Sequence, residues 1–420
     1  MSLGIELFTQ LRSSKKCHDL NVTTPVAYAS GYMPLDYING QRVTVYDEND
    51  EIIEEYDSTG FVDGTMVTVV ADSGLGKTTL VEQIAVNIIR PFENAFIQHE
   101  DIEQASHINR IANITGMKPG WIKKHYLLYQ DTHTEAVIDR IMDHAKMKIN
   151  NRKVFEYDTG LKDMYGNNIK RLIPTVVIID SLAVMRSESS SFQEDGKSKN
   201  SDDIDSTTNN MAGSRNAKFN SEVFKQILPF IKKANIILFV INHITRKIQT
   251  GFIQGPRDLV GLGDNESLPG GRASIYLANN VLRLKNKGSL KPDKEYGING
   301  HIIDATFYKS RTNASNVSCE LIFDKSKGFS PALTMLHFGL NNDLVKKSGT
   351  KYYVLGCEDV TFTKKNFLTV AAMHPEILDK LYELALPIVQ TYLGTIDNYD
   401  DDESEDSRND SYISIMNMID

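Results

Sequence analysis

The stretch that decides the fold is Thr65–Thr79, TMVTVVADSGLGKTT. Its first half is apolar and β-branched, which predicts a buried strand. Its second half contains glycines and is followed by a helical pattern over residues 80–85. The second half fits the phosphate-loop pattern, with Ala71 in the place of the first glycine. Gly74 and Gly76 let backbone N–H groups curl around phosphate oxygens, and the new helix points the positive end of its dipole at them. The sequence therefore predicts a nucleotide phosphate site after this strand.

The side chains of the loop predict the cofactors ATP and Mg²⁺. Lys77 can reach the β- and γ-phosphates, and Thr78 can offer its hydroxyl to the metal. A second buried run, 173–179, ends in Asp180, which we predict to hold Mg²⁺ directly or through water. Many strands end in aspartate, but the pairing of this one with a phosphate loop makes the prediction strong. The predicted nucleotide contacts from the loop are Asp72, Ser73, Gly74, Leu75, Gly76, Lys77, Thr78 and Thr79.

Two further predicted strands end in polar residues. Reacting groups of open α/β sheets gather at the carboxyl ends of the strands. Glu100, after 95–99, is therefore predicted to act on the water that attacks the γ-phosphate, the alternative being a solvated loop acid. His243 follows 236–241. It is either a satisfied polar residue at the sheet edge or a sensor that relays the presence of the γ-phosphate to the following loop.

Composition and charge indicate a globular, cytoplasmic protein. The chain has 420 residues, 41% of them hydrophobic and 24% charged, without an apolar run of membrane length and without a secretory pattern at residues 1–6. Its three cysteines, far apart, indicate reduced thiols. The net charge is −9, but residues 397–410 hold eight acids and one arginine. The rest is therefore close to neutral, which permits basic DNA-facing loops.

The order of patterns predicts an α/β fold. Strands alternate with helices from 65 to about 345, which predicts a parallel sheet covered by helices on both faces. Residues 41–60 predict an inserted hairpin, and 155–171 a second insert that is a loop or a hairpin. The predicted strands are 66–71, 95–99, 126–130, 175–180, 236–241, 280–284 and 302–308.

We predict four regions along the chain. Residues 1–24 form a short helix or arm that packs on its own domain or docks on a neighbouring subunit. Residues 25–345 form the core, 346–396 a small α/β module, and 397–420 an acidic, disordered tail. Two long glycine- or serine-rich loops, at 186–216 and 244–272, interrupt the core. Loops of that length are usually functional or disordered.

With these motifs in this order, the chain resembles the RecA family, and most closely the UvsX-like recombinases of tailed phages. His243 stands where bacterial RecA proteins have glutamine. The resemblance covers residues from about 25 to the tail. It rests on Pro34-Leu35-Asp36, Ala95-Phe96-Ile97 with Glu100, Ile241-Asn242-His243, Gly270-Gly271 and Tyr308-Lys309-Ser310-Arg311-Thr312.

The resemblance implies a RecA-like P-loop ATPase core and a DNA-dependent ATPase. Such a protein polymerises on single-stranded DNA, pairs it with homologous duplex DNA and exchanges strands, and works with single-strand-binding and mediator proteins. Its subunits form a helical filament with ATP at their interfaces. A phage-encoded protein of this kind would act in the cytoplasm of a bacterial host, without a membrane partner.

The resemblance also implies roles for individual residues. His107 falls where the family places an aromatic residue against adenine. Lys309 and Arg311 fall on the basic pair that reaches the neighbouring subunit's ATP, and strand alternation puts both on one face. The loops 186–216 and 244–272 correspond to the DNA-binding loops. The implied DNA contacts are Arg215, Lys218, Lys225, Arg246, Lys247, Arg257, Gly270, Gly271 and Arg272.

The first loop departs from the family pattern, and the basic residues and the function each have an alternative interpretation. Any one basic residue is equally well explained as a solvated surface charge, although the cluster favours DNA. The first loop carries acids that would repel DNA, among them Glu194, Asp195, Asp202, Asp203 and Asp205. The alternative function is a hexameric replicative helicase of the same fold. A non-enzymatic regulator is a third class, which the intact Lys77, Glu100 and Asp180 disfavour.

Overall fold

The computed structural model describes residues 24–47, 49, 51–131, 133–182, 222–246, 262, 266–269 and 273–393. The strands are β1 (Ala27–Tyr28), β2 (Gln41–Tyr46), β3 (Ile52–Ser58), β4 (Phe61–Val62), β5 (Met66–Ala71), β6 (Ile97–Asp101), β7 (Tyr126–Tyr129), β8 (Glu156–Lys162), β9 (Asn168–Leu172), β10 (Thr175–Asp180), β11 (Ile236–His243), β12 (Thr245–Arg246), β13 (Glu266–Ser267), β14 (Asn280–Leu290), β15 (Gly300–Lys309), β16 (Val317–Asp324), β17 (Gly328–Phe329), β18 (Val345–Ser348) and β19 (Lys351–Val354). The helices are α1 (Met33–Ile38), α2 (Lys77–Ile89), α3 (Ile108–Thr115), α4 (Pro119–His125), α5 (Thr134–Asn150), α6 (Arg152–Phe155), α7 (222–234), α8 (Ala273–Leu277), α9 (Pro331–Asn341), α10 (Phe367–Met373) and α11 (Glu376–Gln390).

A nine-stranded sheet forms the centre, in the order β17-β16-β15-β14-β5-β11-β10-β6-β7. The strands from β14 to β7 pair in parallel, and those from β14 to β17 pair antiparallel. Every residue of β5 and β10 is buried, as expected for strands covered on both faces. The predicted α/β class with a mostly parallel sheet is confirmed.

Each of the seven predicted strands overlaps a strand of this sheet, but two strands were not predicted. These are β16 and β17, which extend its antiparallel side. The signal for β16 was present, since Cys319, Leu321 and Phe323 alternate with polar residues or residues of the opposite face.

Side-chain alternation in β5 divides the core into two layers. Val67, Val69 and Ala71 face the cluster that includes Leu80 and Ile84 of α2. Met66 and Val70 face the opposite cluster, which is built with α5 and α7. Helix α2, which carries the residues after the phosphate loop, therefore covers one face of the sheet, and α5 covers the other.

Both inserts are antiparallel hairpins, β2–β3 and β8–β9. The hairpin predicted over 41–60 is therefore confirmed, and the alternatives left open for 155–171 resolve to a hairpin. The two hairpins contact each other, because the hydroxyl of Tyr56 donates to the carbonyl of Lys162 at 2.9 Å and the N–H of Tyr46 donates to the carbonyl of Met164 at 2.9 Å.

A third apolar cluster lies under the β18–β19 hairpin. It joins Leu336 of α9 to Phe367 and Leu381 of α10 and α11, and so draws on residues from both sides of the predicted boundary at 345–346. The predicted arm (apart from Thr24) and the tail at 397–420 lie outside the described residues. None of the helices in the described ranges is long and apolar enough to cross a membrane.

Candidate functional site

The phosphate-loop residues form a turn between the end of β5 at Ala71 and the start of α2 at Lys77. Gly74 has φ 80° and Gly76 has φ 79°, a left-handed conformation that favours glycine. A Cβ on Gly76 would also lie 2.8 Å from a ring carbon of Phe323. Gly76 is therefore required by its backbone conformation and by the close approach of an aromatic ring.

Lys77 is buried at the mouth of this loop. Its Nζ donates to the carbonyls of Ala71 at 3.1 Å and Asp72 at 3.0 Å, and to Nδ1 of His243 at 3.1 Å. Burial lowers the pKa of the Lys77 ammonium, while the carboxylates of Asp180 and Glu103 raise it. The ammonium thus occupies the position from which it can attract a phosphate, and the structure brings His243 to it.

Thr78 and Asp180 lie together, as the sequence predicts for a metal site. The Thr78 hydroxyl donates to Oδ2 of Asp180 at 2.5 Å. Burial raises the pKa of Asp180 to about 6, although the Thr78 hydrogen bond lowers it. Within the described part of the chain, groups of three or more His, Cys, Asp or Glu that could hold a metal are absent. Two oxygen donors fit Mg²⁺, which usually takes its other ligands from water and substrate phosphates.

Glu100 lies on the sheet face away from α2. In β6, Gln98 and Glu100 alternate with His99, and both point toward α5. The Glu100 carboxylate is fully buried and accepts two hydrogen bonds from Arg140 of α5, at 3.0 and 2.5 Å, and one from Gln98 at 2.7 Å. The structure therefore does not bring Glu100 to Lys77, and its predicted catalytic role stays a prediction.

The contact between Arg140 and Glu100 predicts a large effect on stability. Arg140→Ala should lower the free energy of unfolding by about 3 kcal/mol, because it leaves a buried carboxylate without its cation. Urea denaturation of the purified variant measures the change. Arg152→Ala is the matched control, since its pair with Glu156 is largely exposed and should contribute less than about 0.5 kcal/mol. Equal effects of the two variants would contradict a stabilising role for the buried pair.

Glu103 is a site residue that the sequence analysis missed. Its Oε1 accepts a hydrogen bond from the Ser181 hydroxyl at 2.6 Å and lies 3.0 Å from Nε2 of His243. His243 thus stands between Glu103 and Lys77. The position depends on a turn after β6 rather than on a motif, so the sequence held no signal beyond an acid near a strand end.

In helix α2, the buried Glu82 carboxylate accepts hydrogen bonds from Ser106 at 2.9 Å and from Arg110 at 2.6 Å. Arg110 also donates to the hydroxyl of Thr79 at 2.9 Å, which ties α3 to α2. His107 is exposed at the start of α3, where its Nδ1 accepts the Arg110 N–H at 3.2 Å. Its contact with adenine stays a prediction.

The basic pair lies at another part of the sheet. Strand β15 ends at Lys309 and Arg311 lies in the bend that follows, so the strand alternation used to place both side chains on one face does not extend to Arg311. Lys309 donates to the carbonyls of Ile275 at 3.1 Å and Tyr276 at 2.9 Å. Burial lowers the pKa of Lys309, and the nearby Arg311 cation lowers it further. Two cations held close together favour an anion between or beside them.

Most predicted DNA contacts lie outside the described residues, together with all of loop 186–216. Lys225 is exposed on α7, and Arg246 belongs to β12, which pairs with β13 in the second loop. That strand pair begins two residues after His243. The predicted contacts outside the described part are Arg215, Lys218, Lys247, Arg257, Gly270, Gly271 and Arg272.

Several curated relatives of this chain are named Protein RecA. No family model matches the chain. Protein RecA of Methylococcus capsulatus is 25% identical over 161 residues, 38% of this chain and 43% of the relative. Protein RecA of Malacoplasma penetrans is 23% identical over 186 residues, which are 44% of this chain and 49% of the relative. Protein RecA of Aquifex aeolicus is 20% identical over 206 residues, which are 49% of this chain and 52% of the relative. The chain spans about half the length of the curated relatives it matches. These matches support a relationship between this chain and the RecA family.

Proposed function

We propose that this protein is an ATP-dependent DNA recombinase of the UvsX-like type, which polymerises on single-stranded DNA and promotes homologous pairing and strand exchange. One observation carries the proposal: His243 contacts Lys77 of the phosphate loop at 3.1 Å and directly precedes the predicted second DNA loop. A residue that meets the nucleotide site with its side chain and the DNA loop with its backbone can couple the two.

ATP and Mg²⁺ would be bound by the phosphate loop and by the side-chain oxygens of Thr78 and Asp180. ATP would sit with its phosphates on the turn from Asp72 to Gly76, and Lys77 would hold the γ-phosphate. Thr78 and Asp180 would hold Mg²⁺, which neutralises charge on the β- and γ-phosphates when bound. The 2.5 Å hydrogen bond between their side chains already holds these oxygens side by side.

The DNA part of the proposal depends on His243. A γ-phosphate on Lys77 competes for the hydrogen bond that Lys77 gives to Nδ1 of His243, so nucleotide binding repositions the residue at which the second loop begins. Loops ordered in this way would contact mainly the DNA backbone and leave base edges free to pair. Sequence preference should therefore be slight.

A salt titration tests the DNA contacts. Replacing Lys218, Lys225, Arg246 and Arg272 together with alanine should flatten the slope of log K against log salt concentration by roughly one unit for each phosphate that is no longer neutralised, since fewer counterions are released. Fluorescence anisotropy with labelled single-stranded DNA measures the slope. The control replaces four exposed lysines elsewhere, Lys123, Lys124, Lys153 and Lys170. An unchanged salt slope in the variant that lacks Lys218, Lys225, Arg246 and Arg272 would place the DNA elsewhere.

Electron microscopy with ATP and single-stranded DNA tests the function itself. Open helical filaments on the DNA are the expected result. Closed rings would favour the alternative, a hexameric helicase, because a subunit interface whose rotation closes gives a ring and one that does not close gives a filament.

A further inference from the structure

We propose that Glu103, rather than Glu100, is the carboxylate that acts on the attacking water during ATP hydrolysis. This inference rests on the proposed ATPase function and assigns one catalytic residue within it. Glu100 lies within strand β6 and Glu103 follows the end of that strand, so the two acids lie in different surroundings. The site of attack is fixed by Lys77, which holds the γ-phosphate, so the question is which carboxylate lies beside that ammonium.

The contacts of Glu103 place it there. One imidazole ring separates it from Lys77, because His243 Nδ1 is 3.1 Å from Lys77 Nζ and His243 Nε2 is 3.0 Å from Glu103 Oε1. Burial lowers the pKa of the Lys77 ammonium, and the carboxylates of Asp180, Glu103 and Asp72 raise it. The Glu103 side chain is 34% exposed, so water can reach it.

The backbone holds Glu103 in this place. After β6 the N–H groups of Ile102 and Glu103 both donate to the carbonyl of Asp180, at 2.7 and 3.3 Å. The next residue, Gln104, has φ 54°, a left-handed conformation uncommon outside glycine, and its N–H donates to the Asp101 carbonyl at 3.1 Å. This tight turn folds the chain across the end of β10 and carries Glu103 over the sheet edge toward the phosphate loop.

Glu100 is held elsewhere by equally specific contacts. It is fully buried on the α5 face, where Arg140 binds both of its oxygens and Gln98 binds one. Arg140 is fixed in turn by Asp131 at 2.7 Å. Bringing Glu100 to the γ-phosphate would break these hydrogen bonds and leave the Arg140 cation without its buried partner, which is costly.

We propose that ATP hydrolysis proceeds by in-line attack of water on the γ-phosphorus. The water oxygen forms a bond to the γ-phosphorus while the bond from that phosphorus to the β–γ bridging oxygen breaks, and the electron pair leaves with ADP. Glu103 accepts the proton that the water loses and afterwards releases it to solvent. Proton transfer to a positioned base contributes roughly 10²- to 10⁴-fold to a rate.

Paired isosteric variants test the assignment. Glu103→Gln should lower kcat for ATP hydrolysis on single-stranded DNA by about 10²-fold or more, because the amide cannot take the proton. Binding of a fluorescent ATP analogue and the temperature of unfolding should stay close to wild type. Glu100→Gln should lower the temperature of unfolding, because the ion pair with Arg140 is weakened, and keep turnover per folded molecule within about threefold. Glu93→Gln, an acid that is 83% exposed, is the control for both.

The activity and stability of these variants distinguish Glu103 from Glu100 as the catalytic carboxylate. Wild-type kcat in Glu103→Gln overturns the inference while the ATPase function stands. Loss of turnover in Glu100→Gln with an unchanged temperature of unfolding overturns it in favour of Glu100. A wild-type protein without DNA-dependent ATP hydrolysis overturns the proposed function, and the inference with it.

Discussion

Replacing Lys77 with alanine is expected to lower ATP hydrolysis by about 10³-fold, because the preorganised positive charge that stabilises the transferring γ-phosphoryl group is removed. The ammonium is buried and its hydrogen bonds to the carbonyls of Ala71 and Asp72 hold it at the loop. The proposed second DNA-binding loop should also no longer respond to ATP, since Lys77 is the residue through which a phosphate would move His243.

Three measurements separate these effects. Phosphate release on single-stranded DNA reports hydrolysis, microscopy with ATP reports filament formation, and thermal unfolding reports folding. Lys123→Ala, an exposed lysine on α4, is the control and should behave as wild type. A folded Lys77→Ala protein with wild-type turnover would remove the basis of the proposed function.

The parts of the site that could be predicted from sequence are those whose chemistry is local. The phosphate loop needs two glycines, a lysine and a hydroxyl within a few residues, and all of them follow one strand. Asp180 was predictable because it ends a buried strand rich in β-branched residues, and parallel strands bring their carboxyl ends to one edge. The central strands β5, β10 and β11 were predictable because they are nearly continuous buried runs.

The parts that could not be predicted depend on distant contacts. Glu100 follows the expected pattern for a reacting acid, but Arg140, forty residues away in sequence, binds it on the other face of the sheet. Glu103 belongs to no pattern and is brought into place by a turn that hydrogen-bonds to Asp180. The contact between the two inserted hairpins likewise joins Tyr56 to Lys162, over a hundred residues apart.

Lys309 lies too far from the phosphate loop of its own chain to act there. Strand register places Ala305 opposite Leu284, and Leu284 opposite Ala71 at the start of the phosphate loop. Lys309 lies four residues farther along β15, away from the loop end, a distance on the order of 13 Å, and two strands to the side, on the order of 10 Å. A lysine side chain does not span that separation. The Lys309 ammonium therefore cannot reach a phosphate bound at the phosphate loop of its own chain.

The bend that carries Arg311 is well fixed. The hydroxyl oxygen of Ser310 accepts the N–H groups of Thr312 at 3.2 Å and Asn313 at 3.0 Å. The Asn313 amide donates to the carbonyl of Tyr392 at 2.7 Å. A cation presented on a fixed bend costs little further ordering when a partner arrives, which suits a group that stabilises charge across an interface.

Removing both cations should therefore abolish hydrolysis without disturbing the phosphate loop of the same subunit. The double variant Lys309→Ala with Arg311→Ala is expected to lose about 10³-fold or more in turnover, because charge stabilisation supplied across an interface is worth that much in phosphoryl transfer. Binding of a fluorescent ATP analogue to the unassembled protein should be nearly unchanged. Asp180→Asn should also be inactive, because it lacks the carboxylate that we propose binds Mg²⁺.

Mixing the two inactive proteins tests whether the pair acts in trans. In a head-to-tail filament each ATP lies between two subunits, so equal amounts assembled at random give about one interface in four that combines an intact Asp180 with an intact basic pair. Turnover on single-stranded DNA should return to about a quarter of the wild-type value. Pull-down of a tag carried by one variant establishes that mixed filaments have formed. If they form and hydrolysis stays at background, Lys309 and Arg311 do not act across the interface, and their cationic charge must be balanced within their own subunit.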